Sequence, residues 1–136
     1  MTKQHDYQVS LRVVHPAMSP SVVTQRLKLA PSASWKKGEP RRTPKGRDIG
    51  GVRESSYWCA RLRVRPAGDI ATVVASALER FEKHRAFFRK AVASGGRVSL
   101  YVTGRGGGLA EVFELSLLSR LVRMSCVLEL EVFERL

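Results

Sequence analysis

The sequence has few cysteines and no long apolar run, and each scarcity excludes a class of protein. Only Cys59 and Cys126 occur among 136 residues, too few for a disulfide framework. No apolar stretch approaches the roughly 18 residues that suggest a membrane-spanning helix. The polar start, residues 1–6, does not resemble a secretory signal. We therefore expect a cytoplasmic protein that has no membrane partner.

Signatures of catalysis and of cofactor binding are also missing. His5, His15 and His84 are isolated, and no pair of them has metal-ligand spacing. Residues 104–108 are rich in glycine like a phosphate-binding loop, but they precede an apparent strand rather than a helix N-terminus. We expect a non-catalytic protein with no metal and no cofactor.

Positive charge is what the sequence has in excess. It carries 24 basic and 12 acidic residues, a formal net charge of +12. Residues 1–105 hold 21 basic and 7 acidic residues, whereas residues 106–136 hold three and five, so the two parts carry +14 and −2. A positive field attracts polyanions and acidic partners over a Debye length of about 8 Å. The alternative, that the charge only keeps the protein soluble, stays open.

Apolar and polar residues alternate in four segments, and such alternation predicts strands whose sheet is covered on one face only. The segments are residues 7–13, 58–65, 98–103 and 128–132, and a further short strand is predicted at 111–115. The alternation predicts that the covered face buries Val9, Leu11, Leu62, Val64, Leu100, Leu130 and Val132.

Helical periodicity elsewhere in the sequence predicts the helices that cover that face. Apolar residues from 70 to 92 recur at helix spacing, with Asp69 as the N-cap and Ser94-Gly95-Gly96 at the end. Shorter helices are predicted at 19–29 and 116–124.

The order of these elements, β-α-β, long helix, β-α-β, predicts a single α+β domain over residues 1–136. If its crossovers join parallel strands and are right-handed, all helices lie on one side of the sheet. We expect a two-layer sandwich in which helices cover one face of a mixed four- to five-stranded sheet, ferredoxin-like or related.

One segment, residues 31–54, shows no periodicity and is predicted to be a basic loop rich in proline and glycine. It contains three prolines, four glycines and seven basic residues. Loops longer than about 12–15 residues are usually functional or disordered. With the arginines of the following strand, the loop forms the candidate anion-binding or partner-binding site: Lys36, Lys37, Arg41, Arg42, Lys45, Arg47, Arg61, Arg63 and Arg65.

Two tryptophans flank this loop and admit two interpretations. Trp35, beside Lys36 and Lys37, would add base stacking to a nucleic-acid site. We favour the structural alternative, because tryptophan is highly buried on average. In that interpretation Trp35 and Trp58 are mostly buried near one end of the sheet, and with Gly38 they anchor the loop.

The loop also carries a resemblance to a known family. Residues 34–39 (Ser-Trp-Lys-Lys-Gly-Glu), followed by Gly50-Gly51-Val52 and Tyr57-Trp58, are similar to a bacterial family designated domain of unknown function 4279. Its members share a strand, a short helix that begins Ser-Pro and ends in leucine (here residues 19–27), a Trp-x-x-Gly-Glu turn and a second tryptophan. The resemblance covers most of the chain and implies no catalytic residue. It departs where Ser116 is followed by leucine instead of proline.

Two functions fit these features best, and a third, an enzyme whose site assembles from residues far apart in the sequence, is less favoured. The first is a non-catalytic interaction module that binds a protein partner, or a second copy as a homodimer, through the open sheet face and the basic loop. The alternative is binding of nucleic acid or another polyanion through the loop and the arginines at 61, 63 and 65. The first function predicts an apolar or charge-complementary patch. The second function predicts a single continuous basic surface. For Glu129 and Glu131 we expect cross-strand ion pairs rather than acid-base chemistry.

Overall fold

The computed structural model of the chain describes residues 7–64, 68–105 and 110–133. In these ranges seven strands form: β1 (Tyr7–His15), β2 (Ala33–Trp35), β3 (Pro40–Arg42), β4 (Asp48–Val52), β5 (Ser56–Leu62), β6 (Arg97–Arg105) and β7 (Cys126–Phe133). The α-helices are α1 (Pro20–Leu27), α2 (Ile70–Arg80), α3 (Arg85–Ala93) and α4 (Leu115–Arg123). Within the described ranges, no helix is long and apolar enough to cross a membrane.

Five strands form one mixed sheet in the order β2-β5-β1-β6-β7. The central strand β1 is antiparallel to β5 and to β6, β2 is antiparallel to β5, and β7 is parallel to β6. Strands β3 and β4 form a separate two-stranded hairpin. The expected α+β sandwich with a mixed sheet is confirmed. Among the described strands, parallel neighbours joined by a helix occur only in the second half, β6-α4-β7, because β1 and β5 are antiparallel.

The helices cover one face of the sheet, as the alternation predicts. The strands bury Val9, Leu11, Leu62 and Leu100, none of them more than 5% exposed. These residues share one core with residues from all four helices, among them Val23, Val74, Phe88 and Leu121. On the other side of β1, Ser10 and Arg12 remain half-exposed. The sheet therefore has one face that none of the described helices covers.

Burial of Leu130 and Val132 was predicted wrongly, since these residues are 43% and 41% exposed. Burial decreases along β7 from Cys126, which is only 8% exposed. The nine residues of α4 extend about 13 Å, whereas the eight residues of β7 extend about 26 Å. The helix is too short to cover the strand. Val64, predicted to be buried, lies beyond the end of β5 and is half-buried against the core.

Two other elements differ from the prediction. The long helix is divided into α2 and α3 by a 3₁₀ turn at Glu82–His84, although Asp69 does cap α2 and accepts a hydrogen bond from Thr72 N at 2.8 Å. Residues 111–114 form no strand. Glu111 Oε1 instead accepts hydrogen bonds from Ile70 N and Ala71 N, at 2.9 and 3.2 Å. This segment therefore supplies a hydrogen-bond acceptor for the first backbone N–H groups of α2 and does not extend the sheet.

The segment 31–54 is more regular than predicted. It contains β2, which pairs with β5, and the β3–β4 hairpin. Every residue of β3 and β4 is exposed. A strand with two exposed faces has no reason to alternate, so its sequence carries no periodicity.

Candidate interaction surface

The hairpin leaves the sheet through a tight turn at residues 36–39. Glu39 N donates to Lys36 O at 3.1 Å, and Gly38 has φ of 90°. This is the geometry of a type II turn, whose third residue needs a positive φ and therefore favours glycine. Gly38 N and Arg53 O, 2.9 Å apart, tie the turn to the returning strand. The Trp-x-x-Gly-Glu motif is the sequence of this turn.

The hairpin itself is held by its own backbone and short side chains. At its tip, Thr43 N donates to Arg47 O and Gly46 N donates to Thr43 O, each at 2.8 Å. On the returning strand, Asp48 Oδ1 accepts from Gly50 N at 2.8 Å. These contacts give the hairpin a defined shape outside the core.

Trp35 is stacked at the root of the hairpin. Its ring lies 4.4 Å from that of Tyr57 with an angle of 17° between the planes. The guanidinium carbon of Arg53 lies 3.8 Å from the centre of the Trp35 ring. Both faces of the indole are therefore occupied, one by an aromatic ring and the other by a cation.

The two tryptophans lie at the same end of the sheet but on opposite faces. Trp58 is 1% exposed in the core, and its Nε1 donates to Thr24 Oγ1 of α1 at 3.0 Å. Trp35 is only half-buried and belongs to the open face with Tyr57, its partner in register. Both indoles are thus more covered than exposed and lie near one end of the sheet, as predicted, but they lie on opposite faces, because neighbouring positions of β5 point to opposite faces.

Six candidate cations belong to the turn and the hairpin, and all are exposed: Lys36, Lys37, Arg41, Arg42, Lys45 and Arg47. Among the described residues none of the six forms an ion pair, since both ion pairs there end on Glu129. Their charge is uncompensated at short range.

The structure does not join these cations to the predicted arginine stripe. Arg61 is exposed and lies opposite Ser10 in register, and Arg63 is exposed beyond the end of β5. Arg61 is four residues from Tyr57, about 13 Å along the strand from the hairpin root. No hydrogen bond or ring contact links the hairpin cations to Arg61 or Arg63 in the described ranges. Arg65 lies outside the described residues, as do His5 and residues 106–108 of the glycine-rich run.

The centre of the open face holds a network that the sequence did not reveal. The guanidinium carbon of Arg12 lies 3.6 Å from the centre of the Tyr101 ring. Glu129 pairs with Arg12 Nη1 at 3.6 Å and with Arg97 Nη2 at 3.7 Å, so the cross-strand ion pairs expected for Glu129 are present, whereas Glu131 forms none with a described residue. The Tyr101 hydroxyl donates to Glu131. The signal available in the sequence was the alternation, which places Arg12 on the polar side of β1.

Burial makes two titratable groups of the sheet harder to ionise. It raises the pKa of Tyr57 to about 12, with Cys59 acting in the same direction and Arg12 in the opposite one. Burial also raises the pKa of Cys126 to about 12. At neutral pH both groups are therefore uncharged. Among the described residues, no three histidine, cysteine, aspartate or glutamate side chains are grouped as metal ligands.

Comparison of the chain with known protein families gives one match. A family model described as "Domain of unknown function (DUF4279)" matches residues 5–125. The matched region includes the hairpin, β1, β5 and β6, and it ends one residue before β7. Neither the curated proteins nor the solved structures contain a match to the chain.

Proposed function

The chain belongs to the DUF4279 family, and we propose that it is a non-catalytic interaction module that binds an acidic protein partner through its basic hairpin and the adjoining open sheet face. Its place of action is the cytoplasm, where the free thiols of Cys59 and Cys126 stay reduced.

The observation that carries this proposal is the set of six exposed cations on a shaped hairpin. Like charges at such density repel one another, and an acidic partner relieves that repulsion. Charge needed only for solubility would require no defined hairpin. Here a turn with glycine at positive φ, a hydrogen-bonded tip and a stacked tryptophan root hold the cations in place. Preorganisation of this kind lowers the entropy lost on binding.

The open face favours a protein partner over a nucleic acid. Base stacking needs a free aromatic face, and both faces of Trp35 are covered. One face of Tyr101 is covered by Arg12. On the same face, Arg12, Arg97 and Tyr101 are already engaged by Glu129 and Glu131, so these three side chains are not free to bind phosphates.

A second function, polyanion binding by the hairpin alone, is supported by the net charge of +12 and by the same unpaired cations. Six phosphate contacts would make the affinity steeply dependent on salt concentration. In this case binding is nonspecific, with a Kd of the order of 10⁻⁴–10⁻⁶ M at physiological salt.

The test is capture of partners from a lysate of the native host by three forms of the protein. The first is wild type, and the second replaces four hairpin cations with glutamine: Lys36, Arg41, Arg42 and Arg47. The matched control replaces four exposed cations around α3 with glutamine, so its net charge is the same: Lys83, Arg85, Arg89 and Lys90. We expect wild type and the control to retain one protein partner, and the hairpin variant to lose it.

Two further outcomes have definite meanings. Capture that disappears after nuclease treatment would contradict the protein partner and support the polyanion function. Equal loss in both variants would show that net charge, rather than the hairpin, governs association. Titration of an acidic peptide and of a short DNA at two salt concentrations then separates the two ligand classes.

A further inference from the structure

Exposed apolar side chains are concentrated at one end of the protein. Of the twelve large apolar residues that are exposed within the described ranges, eight lie between residues 112 and 133: Val112, Leu115, Leu118, Val122, Val127, Leu130, Val132 and Phe133. Their exposure ranges from 41% to 82%. Scattered apolar residues on a surface need no explanation, whereas a contiguous group marks an interaction site.

Helix α4 contributes a second apolar stripe to this group. Leu117 and Leu121 face the core, but Leu115, Leu118 and Val122 are spaced by three and four residues on another side of the helix. Leu115 is 82% exposed and Val122 is 78% exposed. A helix with two apolar sides is suited to two partners, one of which is its own sheet.

The position of α2 shows where this stripe points. A groove between α2 and α4 is lined on the α4 side by Ser116, Leu117 and Arg120. The stripe of Leu115, Leu118 and Val122 lies on the other side of Leu117 around the helix, because successive residues are about 100° apart. It therefore faces away from α2. Helix α4 itself packs against β7, and β7 is the outer edge strand of the sheet.

Strand β7 presents that edge without the usual protection. Its eight residues pair with β6 in unbroken register from Cys126 to Phe133, and its other side has no strand partner among the described residues. It contains no lysine, no proline and no bulge, which are devices that keep edge strands from pairing with other chains. The edge is therefore competent to accept another strand.

Charge favours a second copy of this chain as the occupant. Residues 1–105 carry +14 and residues 106–136 carry −2, so two copies repel each other least where their C-terminal parts meet. Antiparallel pairing of β7 with itself is two-fold symmetric and places both α4 stripes on the same side of the joined sheet. A register with Leu128 opposite Leu128 sets Glu129 opposite Val127, which avoids facing the glutamates against each other.

The available area is adequate for such a dimer. A large apolar side chain at these exposures presents on the order of 100 Å², so the seven residues outside the α2–α4 groove present several hundred Å². A standard interface takes about 800 Å² from each partner, and the paired strand backbones add to the total.

We propose that the chain forms a homodimer in which β7 pairs antiparallel with β7 of a second copy and the stripe of Leu115, Leu118 and Val122 packs against its counterpart. The joined sheet has ten strands, and the two basic hairpins lie at its far ends. The dimer surface lies at the opposite edge of the sheet from the basic hairpin.

Sedimentation equilibrium of the full chain tests the dimer, with protein from about 1 to 500 µM to cover micromolar affinities. We expect a mass of twice the 15.2 kDa of one chain at the higher concentrations. Val122→Lys and Val127→Lys each place an ammonium group in the interface and should raise the dimer Kd about tenfold or more. Val92→Lys, at a 37% exposed position of α3, is the matched control and should leave the Kd unchanged.

The substituted residues are exposed in the single chain, and circular dichroism of each variant verifies that it folds. Wild type that stays monomeric at all concentrations would overturn the dimer, whatever other molecule binds the patch. A dimer that tolerates both Val122→Lys and Val127→Lys would also overturn it. The two proposals are tested separately. The hairpin variant can lose its lysate partner while the dimer stays intact, and a dimer variant can lose the dimer while it still retains the partner.

Discussion

The two edges of the sheet are built in opposite ways. The β2 edge is three residues long and leads at once into a hairpin that carries six exposed cations. The β7 edge is eight residues long, has no cation, and is flanked by exposed apolar side chains. Short strands and positive charge are means by which proteins prevent edge-to-edge association. One edge is thus protected against a second copy and the other is open to it, so any extension of the sheet should occur at β7.

The largest expected effect concerns what attaches the protected edge to the core. Trp58→Ala should lower the free energy of unfolding by about 3–5 kcal/mol, because it leaves a cavity in the core. It also removes the hydrogen bond to Thr24 that links β5 to α1. Trp35→Ala removes only a half-buried stacking contact and should cost about 1 kcal/mol. Urea unfolding of the two variants, with an m-value equal to that of wild type, measures both losses of unfolding free energy. Equal losses would mean that the hairpin root is part of the core.

The turn into the hairpin gives the next effect. Gly38 has φ of 90°, and a Cβ there would meet no atom within 4 Å, so only the backbone opposes Gly38→Ala. The left-handed conformation costs a residue with a side chain about 1–2 kcal/mol. Gly68→Ala is the control, since that glycine is also uncrowded and its φ lies outside the positive range. Thermal unfolding of both variants should show a lower Tm for Gly38→Ala alone.

The stacked root should also make stability depend on alkaline pH. The pKa of Tyr57 is raised to about 12 in the folded protein, above the value of about 10 expected after unfolding. A raised pKa contributes stability that is fully present below about pH 10 and is lost as the pH rises toward 12. The unfolding free energies of wild type and Tyr57→Phe, measured from about pH 9 to 12, should therefore converge or cross. A difference in unfolding free energy that stays constant with pH would show that Tyr57 has the same pKa in the folded and the unfolded protein.

The smallest effect is expected beside the open edge. Glu129→Gln removes two partly exposed ion pairs, with Arg12 and Arg97, and should cost about 0.2–1 kcal/mol. The loss should shrink in high salt, which screens exposed charges. Glu54→Gln is the control, because Glu54 is exposed and forms no ion pair with a described residue. A loss that persists in high salt would indicate a packing role for the Glu129 side chain.

Local patterns predicted the covered face of β1, β5 and β6 because alternation reports directly which side of a strand is apolar. It failed for Leu130 and Val132, since alternation does not say whether a helix reaches the position. The strands β3 and β4 were missed because glycine turns and backbone hydrogen bonds hold them without an apolar face.

Part of the candidate site could also be predicted from local patterns, and part of it could not. The hairpin cations were found because they are neighbours in the sequence. The network around Arg12 was not, because Arg12, Tyr101 and Glu129 come together only through the pairing of β1, β6 and β7. The register of distant strands is not contained in a local pattern.

The central position of β1 has a consequence during protein synthesis. It leaves the ribosome before the other four strands of its sheet, yet β6, one of its two partners, ends at residue 105. At about 5–20 residues per second, roughly 4–18 s pass between the appearance of β1 and that of its last partner. Throughout that interval Val9, Leu11 and Val13 have no complete sheet to enter. The nascent chain therefore carries an apolar strand that a chaperone has several seconds to bind, and the sheet is completed only after β6 and β7 have been made.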